Sequence, residues 1–158
     1  MQRYPNAHFI FAGPGELEGE LRAYVAANHL NSNVSFLGDY AGIPELLAAL
    51  DIVVLPSTSE SLPNVVLEAM SAGRPVVSSA VGGCVELIQH NRTGMLVPAG
   101  DPAALAEKIL LLLDRPDLRI QLGYAARKHA EREFNFTEAV KKLELVYDEL
   151  LSSNGRPN

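Results

Sequence analysis

Thr58-Ser59-Glu60-Ser61-Leu62-Pro63-Asn64-Val65-Val66-Leu67-Glu68-Ala69-Met70-Ser71-Ala72-Gly73-Arg74-Pro75 reads as a polar loop running into an apolar helix that stops at a glycine. On its amino side, Ile52-Val53-Val54-Leu55 is a branched apolar run closed by Pro56, the pattern of a buried strand. On its carboxyl side, Pro75-Val76-Val77-Ser78-Ser79 repeats that pattern and ends in a Val81-Gly82-Gly83 turn. Strand, loop, helix and strand in this order form one βαβ unit of a parallel sheet with right-handed crossovers.

Working outward, the same alternation fills the chain. His8–Ala12 is expected to be a buried strand closed by Gly13-Pro14-Gly15. A helix follows from Glu16 to Leu30, then a strand at Val34–Gly38 and a short helix at Ile43–Leu50. Beyond the central unit come a helix from Val85 to about His90, a turn at Asn91–Gly94 and a last strand, Met95–Val97. Asp101 caps a helix that has Pro102 at its start and runs to Leu113. Helical spacing continues over Leu118–Arg132 and Thr137–Leu151. The expected architecture is an α/β, Rossmann-like, doubly wound parallel sheet with helices on both faces, one domain over 5–151 and a disordered tail over 152–158.

Composition narrows the function. The 158 residues are 47% hydrophobic and 20% charged, which suits one soluble globular domain. A net charge of −6 gives no overall attraction for nucleic acid. Cys84 is the single cysteine, so neither an internal disulfide nor an all-cysteine zinc site exists, and a reducing, cytoplasmic setting is expected. No apolar run reaches the roughly 18 residues of a membrane span. The four histidines show no ligand spacing and are read as non-ligands; Cys84 is read as a small packing residue.

Two carboxylates stand out. Glu60 is on the loop after a strand and Glu68 inside the following helix, eight positions on (68 − 60). Ligands of open parallel sheets sit outside the carboxyl ends of the strands, against helix N-termini. A carboxylate there repels phosphate but accepts hydrogen bonds from hydroxyls, so the pair fits a ligand carrying both, such as a sugar nucleotide. A helical interval would separate the acids by roughly 12 Å, enough to address two parts of an extended ligand. The alternative is that Glu60 is a solvated loop residue and Glu68 an ordinary exposed helix acid. Gly13-Pro14-Gly15 and Gly82-Gly83 are turns where a backbone can approach a ligand, although such pairs more often mark plain tight turns. Glu86, near a helix start, is explained by the helix dipole alone.

Ser59–Met70, Gly73–Val77, Val81–Gly83 with Glu86, and Thr93–Pro98, in this order, closely resemble the C-terminal half of family 4 (group 1) GT-B retaining glycosyltransferases. The likeness runs from about Pro5 to Leu151, and the acid pair is that family's E-x7-E motif. The resemblance implies that this half holds a UDP-, GDP- or ADP-sugar donor. Glu60, the catalytic residue of the motif, would accept hydrogen bonds from hydroxyls of the transferred sugar, and Glu68 would bind the ribose hydroxyls. The backbone of Ser61, Leu62, Pro63, Asn64 and Val65 would meet sugar and diphosphate. Leu37 and Gly38 would lie near the base and Gly13 at the pocket floor. It implies no metal and no cofactor, the helix dipole and basic side chains serving instead.

Measured against that family, a first strand, a Gly-Arg loop and a Lys-Gly turn are not in this sequence, nor is the N-terminal acceptor domain. The chain is therefore expected to be a fragment that does not turn over alone. It would bind donor weakly, pair the strand at His8 with that at Ile52, or recruit a second copy. Its full-length parent would be cytoplasmic, or peripheral at a membrane. Two other readings stay open: a non-catalytic interaction module, favoured by the stripe Leu143, Val146, Tyr147 and Leu150, and a GT-B sugar-nucleotide epimerase.

Overall fold

The computed structural model describes residues 4–154, without the side chains of the last two. They fall into two compact units that meet in sequence between Ile43 and Pro44.

In the first unit, β1 (Phe9–Ala12), α1 (Glu18–Ala27) and β2 (Val34–Gly38) form one βαβ turn, with β1 and β2 parallel and Phe11 opposite Phe36. Those two rings stack 4.9 Å apart, and the Arg22 guanidinium of α1 lies 4.5 Å from the centre of the Phe36 ring, an electrostatic attraction of the cation–π kind. Val25 is the one described residue of this unit that is buried. The expectation of a buried first strand is corrected here: Phe9, Ile10 and Phe11 are 40%, 37% and 42% exposed. Side chains on both faces of β1 are affected, because about forty residues in one βαβ turn enclose almost no interior.

The second unit begins with α2 (Ile43–Ala49), which starts at the junction and buries Leu47. β3 (Val53–Leu55), β4 (Val76–Ser79) and β5 (Met95–Val97) then make a parallel sheet in sequence order. β4 is central and every residue in it is buried, which is why it reads as a continuous apolar run rather than an alternation. Between the strands lie α3 (Asn64–Ser71) and α4 (Cys84–Leu87); after them come α5 (Pro102–Asp114), α6 (Pro116–Glu133) and α7 (Phe136–Asn154). Val77, Met95, Val97, Leu112 and Leu122 form a buried cluster joining sheet, α5 and α6; each such side chain contributes about 1.5–3 kcal/mol on burial. Asp101 caps α5 by accepting from the Ala104 N–H at 2.9 Å, with Pro102 at the first position. Cys84 is fully buried, as a packing residue should be.

Three expectations shift. The parallel α/β architecture is present, but the described strands pair in two sheets rather than one, and β1 pairs with β2, not with the strand after Ile52. A short crossover delivers β2 directly beside β1, so that local pairing forms first in sequence terms. α4 is a single turn, ending at Leu87 instead of His90, because the Gln89–Gly94 turn takes the chain away: Thr93 Oγ1 accepts from the Gln89 N–H at 2.9 Å. At the carboxyl end, α7 runs to Asn154, so Ser152–Asn154 are helical and not part of a disordered tail; 155–158 lie outside the described residues.

α3 ends in a Schellman turn. The Arg74 N–H reaches the Ala69 carbonyl at 2.8 Å and the Gly73 N–H reaches Met70 at 2.9 Å, with Gly73 at φ +68. There the helix end touches α6: a Cβ on Gly123 would overlap the Gly73 carbonyl. Gly123→Ala is therefore expected to cost about 1–3 kcal/mol through overpacking, seen as a lower urea midpoint with unchanged m-value; a wild-type midpoint would show that α3 and α6 do not meet backbone to backbone.

Candidate functional site

Both strand-end clusters lie where parallel strands finish. In the first unit, β1 and β2 end together: the Gly13 N–H donates to the Gly38 carbonyl at 2.7 Å, and both glycines have positive φ (+110 and +61). Leu37, beside Gly38, is 36% exposed. Gly13, Leu37 and Gly38 thus form one local group, at the carboxyl edge of their own sheet.

In the second unit the loop after β3 is more constrained than its polar sequence suggests. Ser57 Oγ donates to Glu60 Oε1 at 2.7 Å in a partly buried setting. The Gly83 N–H, in the turn after β4, donates to the Ser61 carbonyl at 2.9 Å. A Cβ on Gly82 would overlap the Glu60 carbonyl, and one on Gly83 would overlap the Ser61 carbonyl and crowd Pro63. The loop carrying Glu60 is seated on the glycine pair, backbone against backbone, and only residues without side chains permit that approach. Gly82-Gly83 alone is weak as a motif; its work is to receive the neighbouring loop.

That loop feeds α3. Pro63 is buried and occupies the N-cap position, and no side chain caps the helix. The N–H groups of Asn64 and Val65 therefore lack partners within the helix and carry the positive end of its dipole. Ser61, Leu62, Asn64 and Val65 are exposed, Leu62 at 57%. Glu68 lies one turn further on. It is exposed, and its carboxylate makes no hydrogen bond or ion pair among the described residues. Half of the interval between the acids is loop, so the helical rise from Asn64 to Glu68 is about 6 Å, less than a wholly helical interval would give.

Ser57 escaped the sequence reading. Its signal was slight, a serine three positions before Glu60 in a polar loop. The loop's dependence on Gly82 had none, because it joins positions far apart in the chain.

The profile described as "Glycosyl transferases group 1" matches residues 1–115. The chain belongs to this family. This group 1 glycosyltransferase chain is 33% identical over 153 residues to N-acetyl-alpha-D-glucosaminyl L-malate synthase of Bacillus anthracis, covering 96% of itself and 40% of that protein. Among solved structures, Anabaena HepE in complex with UDP superposes with a TM-score of 0.82 at 31% identity, over 94% of this chain and 42% of HepE. The C-terminal domain of the group 1 protein LpcC from Francisella tularensis shares the fold, with a TM-score of 0.72 at 21% identity over 82% of this chain and 86% of that domain. The chain thus spans about 40% of the length of the B. anthracis relative and of HepE.

Gly82→Ala should lift the loop off its seat. The expected result is faster hydrogen exchange at Gly83, by roughly tenfold, as its bond to Ser61 worth ~0.5–1.5 kcal/mol is lost, with β4 amides still protected. Unchanged exchange at Gly83 would mean that the loop is not held by this turn.

Proposed function

We propose that this chain is the donor-binding part of a retaining glycosyltransferase, which transfers a sugar from a nucleotide diphosphate to a hydroxyl acceptor. The observation that carries the reading is the loop seated on Gly82-Gly83, which holds Glu60 by Ser57 and runs directly into the uncapped start of α3. Relatives support the ligand class, because HepE has been solved with UDP and with UDP-glucose.

The chemistry then follows from the parts. Glu60, restrained by Ser57, accepts hydrogen bonds from hydroxyls of the transferred sugar and fixes its orientation. Glu68, an exposed acceptor without an internal partner, takes the ribose hydroxyls. Between them, the Asn64 and Val65 N–H groups and the helix dipole meet the diphosphate, where negative charge grows as the glycosidic bond breaks. Configuration is retained, with an oxocarbenium-like transition state stabilised electrostatically. The acceptor site belongs to an N-terminal domain, and this part alone does not turn over.

Calorimetric titration with UDP, GDP and ADP tests the assignment. Glu68→Ala should weaken the preferred nucleotide by about ten- to a hundredfold, the equivalent of a charge-assisted hydrogen bond of ~1.5–3 kcal/mol, and should leave inorganic pyrophosphate unaffected. Equal affinity in the variant for every nucleotide would remove the ribose role.

A second reading, an association module, rests on α7. Leu143, Val146, Tyr147 and Leu150 are 55%, 51%, 60% and 54% exposed along one helical face. Light scattering behind size exclusion should then give a mass above the 17.1 kDa monomer, returned to monomer by Tyr147→Glu; a monomer at all concentrations discards this reading.

A further inference from the structure

The turn before β5 is a built object. Besides the Thr93 bond to Gln89, the Asn91 N–H donates to Gly94 at 2.8 Å and the Arg92 N–H to Gln89 at 2.9 Å, while His90 Nδ1 accepts from the Leu96 N–H at 3.0 Å. Asn91 is at φ +60, and a Cβ at Gly94 would crowd Ile88 and the Val76 carbonyl. This turn and one face of α6 enclose an open concavity of about 330 Å³. Gln89, Asn91 and Arg92 line it from the turn; Gln121, Lys128 and Arg132 line it from the helix, at positions i, i+7 and i+11.

Its place separates it from the site above. The turn leads into β5, so it lies at the amino ends of the parallel strands, whereas Glu60 and Gly82 follow β3 and β4 at the carboxyl ends. Its charge separates it from the rest of the chain. Acids outnumber Lys and Arg by 19 to 13 overall, yet three cations and no Asp or Glu line this concavity. A basic residue in the last turn of α6 is favoured by the helix dipole, which accounts for Arg132 but not for Lys128 further back. It does not account for Arg92, which is on a turn. The Arg92 guanidinium and the amides of Gln89, Asn91 and Gln121 have no side-chain hydrogen-bond partner among the described residues. Lys128 and Arg132 are held only in exposed pairs with Glu131 and Glu133, at 2.8 and 2.7 Å, the kind of contact that solvent makes cheap to exchange.

We propose that this turn–helix concavity binds a phosphate monoester. A guanidinium fork matches phosphate oxygens bidentately, an ammonium adds a point charge, and amide N–H groups complete the ring of donors. A monoester carries close to two negative charges at pH 7, which suits three converging cations better than a single carboxylate does. The volume admits a small group, such as a sugar phosphate or the phosphate headgroup of a lipid. The site stands independently of the donor assignment.

The test is a nitrogen-15 NMR titration of this chain with inorganic phosphate, against chloride at equal ionic strength, with Arg92→Gln and Lys128→Gln in parallel. Saturating shifts are expected at Gln89–Thr93 and along Gln121–Arg132 with phosphate alone, weakened by about tenfold or more in Arg92→Gln and unaltered in Glu68→Ala. Arg92 is exposed and its side chain has no internal partner, so the variant should fold. Cosedimentation with phosphatidylcholine vesicles, with and without phosphatidic acid, names the source: Arg92-dependent pelleting only with phosphatidic acid assigns a lipid headgroup, and none assigns a soluble monoester. Shifts equal to those with chloride, shifts confined to Ser61–Val65, or an unaltered Arg92→Gln titration each overturn the proposal.

Discussion

The contact on which the second unit's geometry depends is a meeting of two backbones, where the Glu60–Ser61 peptide rests on Gly82 and Gly83. Hydrophobic burial places β3 and β4 side by side, but it does not fix the loops beyond their ends. Those loops carry polar residues with no apolar surface to hide, so burial gives them little reason to adopt one shape. The glycine pair supplies that reason through close approach and one hydrogen bond. Once the loop is seated, Ser57 can hold Glu60 and Pro63 can turn the chain into α3. At the far end of α3, the Gly73–Gly123 contact serves the same purpose against α6. The helix is thus located at both ends by backbone proximity, with Val66, Ala69 and Met70 buried between.

A difference in interior separates the two units. From Pro44 onward, β4, β5, α5 and α6 share a cluster of fully buried side chains. Up to Ile43, Val25 is buried and the aromatic and aliphatic residues of β1 are not. With conformational entropy costing about 1–2 kcal/mol per ordered backbone residue, a unit that buries so little contributes little stability of its own. What it does contribute is specific geometry: the Phe11–Phe36 stack, the Arg22 contact and the Gly13–Gly38 bond bring two strand ends to a defined position.

How much of this could be read from the sequence follows from the range of the interactions. Each strand and helix was legible, because apolar periodicity and caps such as Asp101-Pro102 are local signals. Burial of β1 was misjudged for the opposite reason: Phe9-Ile10-Phe11 records a preference for cover, whereas cover itself depends on what lies across the sheet. Glu60 and Glu68 were visible from spacing and type, and the resemblance gave them roles. The exposure of Glu68 was not visible, since an apolar helix still has one face turned to solvent. Arg92 with Lys128 and Arg132 was invisible in sequence, where positions 36 and 40 residues apart (128 − 92 and 132 − 92) carry no mark of facing each other.

Two acids and a bound diphosphate on a chain of net charge −6 pose an electrostatic difficulty for the proposed function, which is eased if the acids take the two ends of the ligand. Solvent screens exposed charges over a Debye length of about 8 Å at physiological ionic strength. The roughly 6 Å of helix between Asn64 and Glu68 falls inside it, so the acids have to be directed away from the phosphates. A nucleotide sugar is longer than either distance, with its sugar and ribose at opposite ends and its phosphates between. An arrangement in which each acid takes one end keeps both carboxylates away from the phosphates while the unpaired N–H groups of Asn64 and Val65 stand opposite them. Moving either acid toward the start of α3 would set like charges together where the helix dipole offers about half an elementary charge of compensation. In the proposed arrangement the spacing of the two glutamates then serves charge as well as reach.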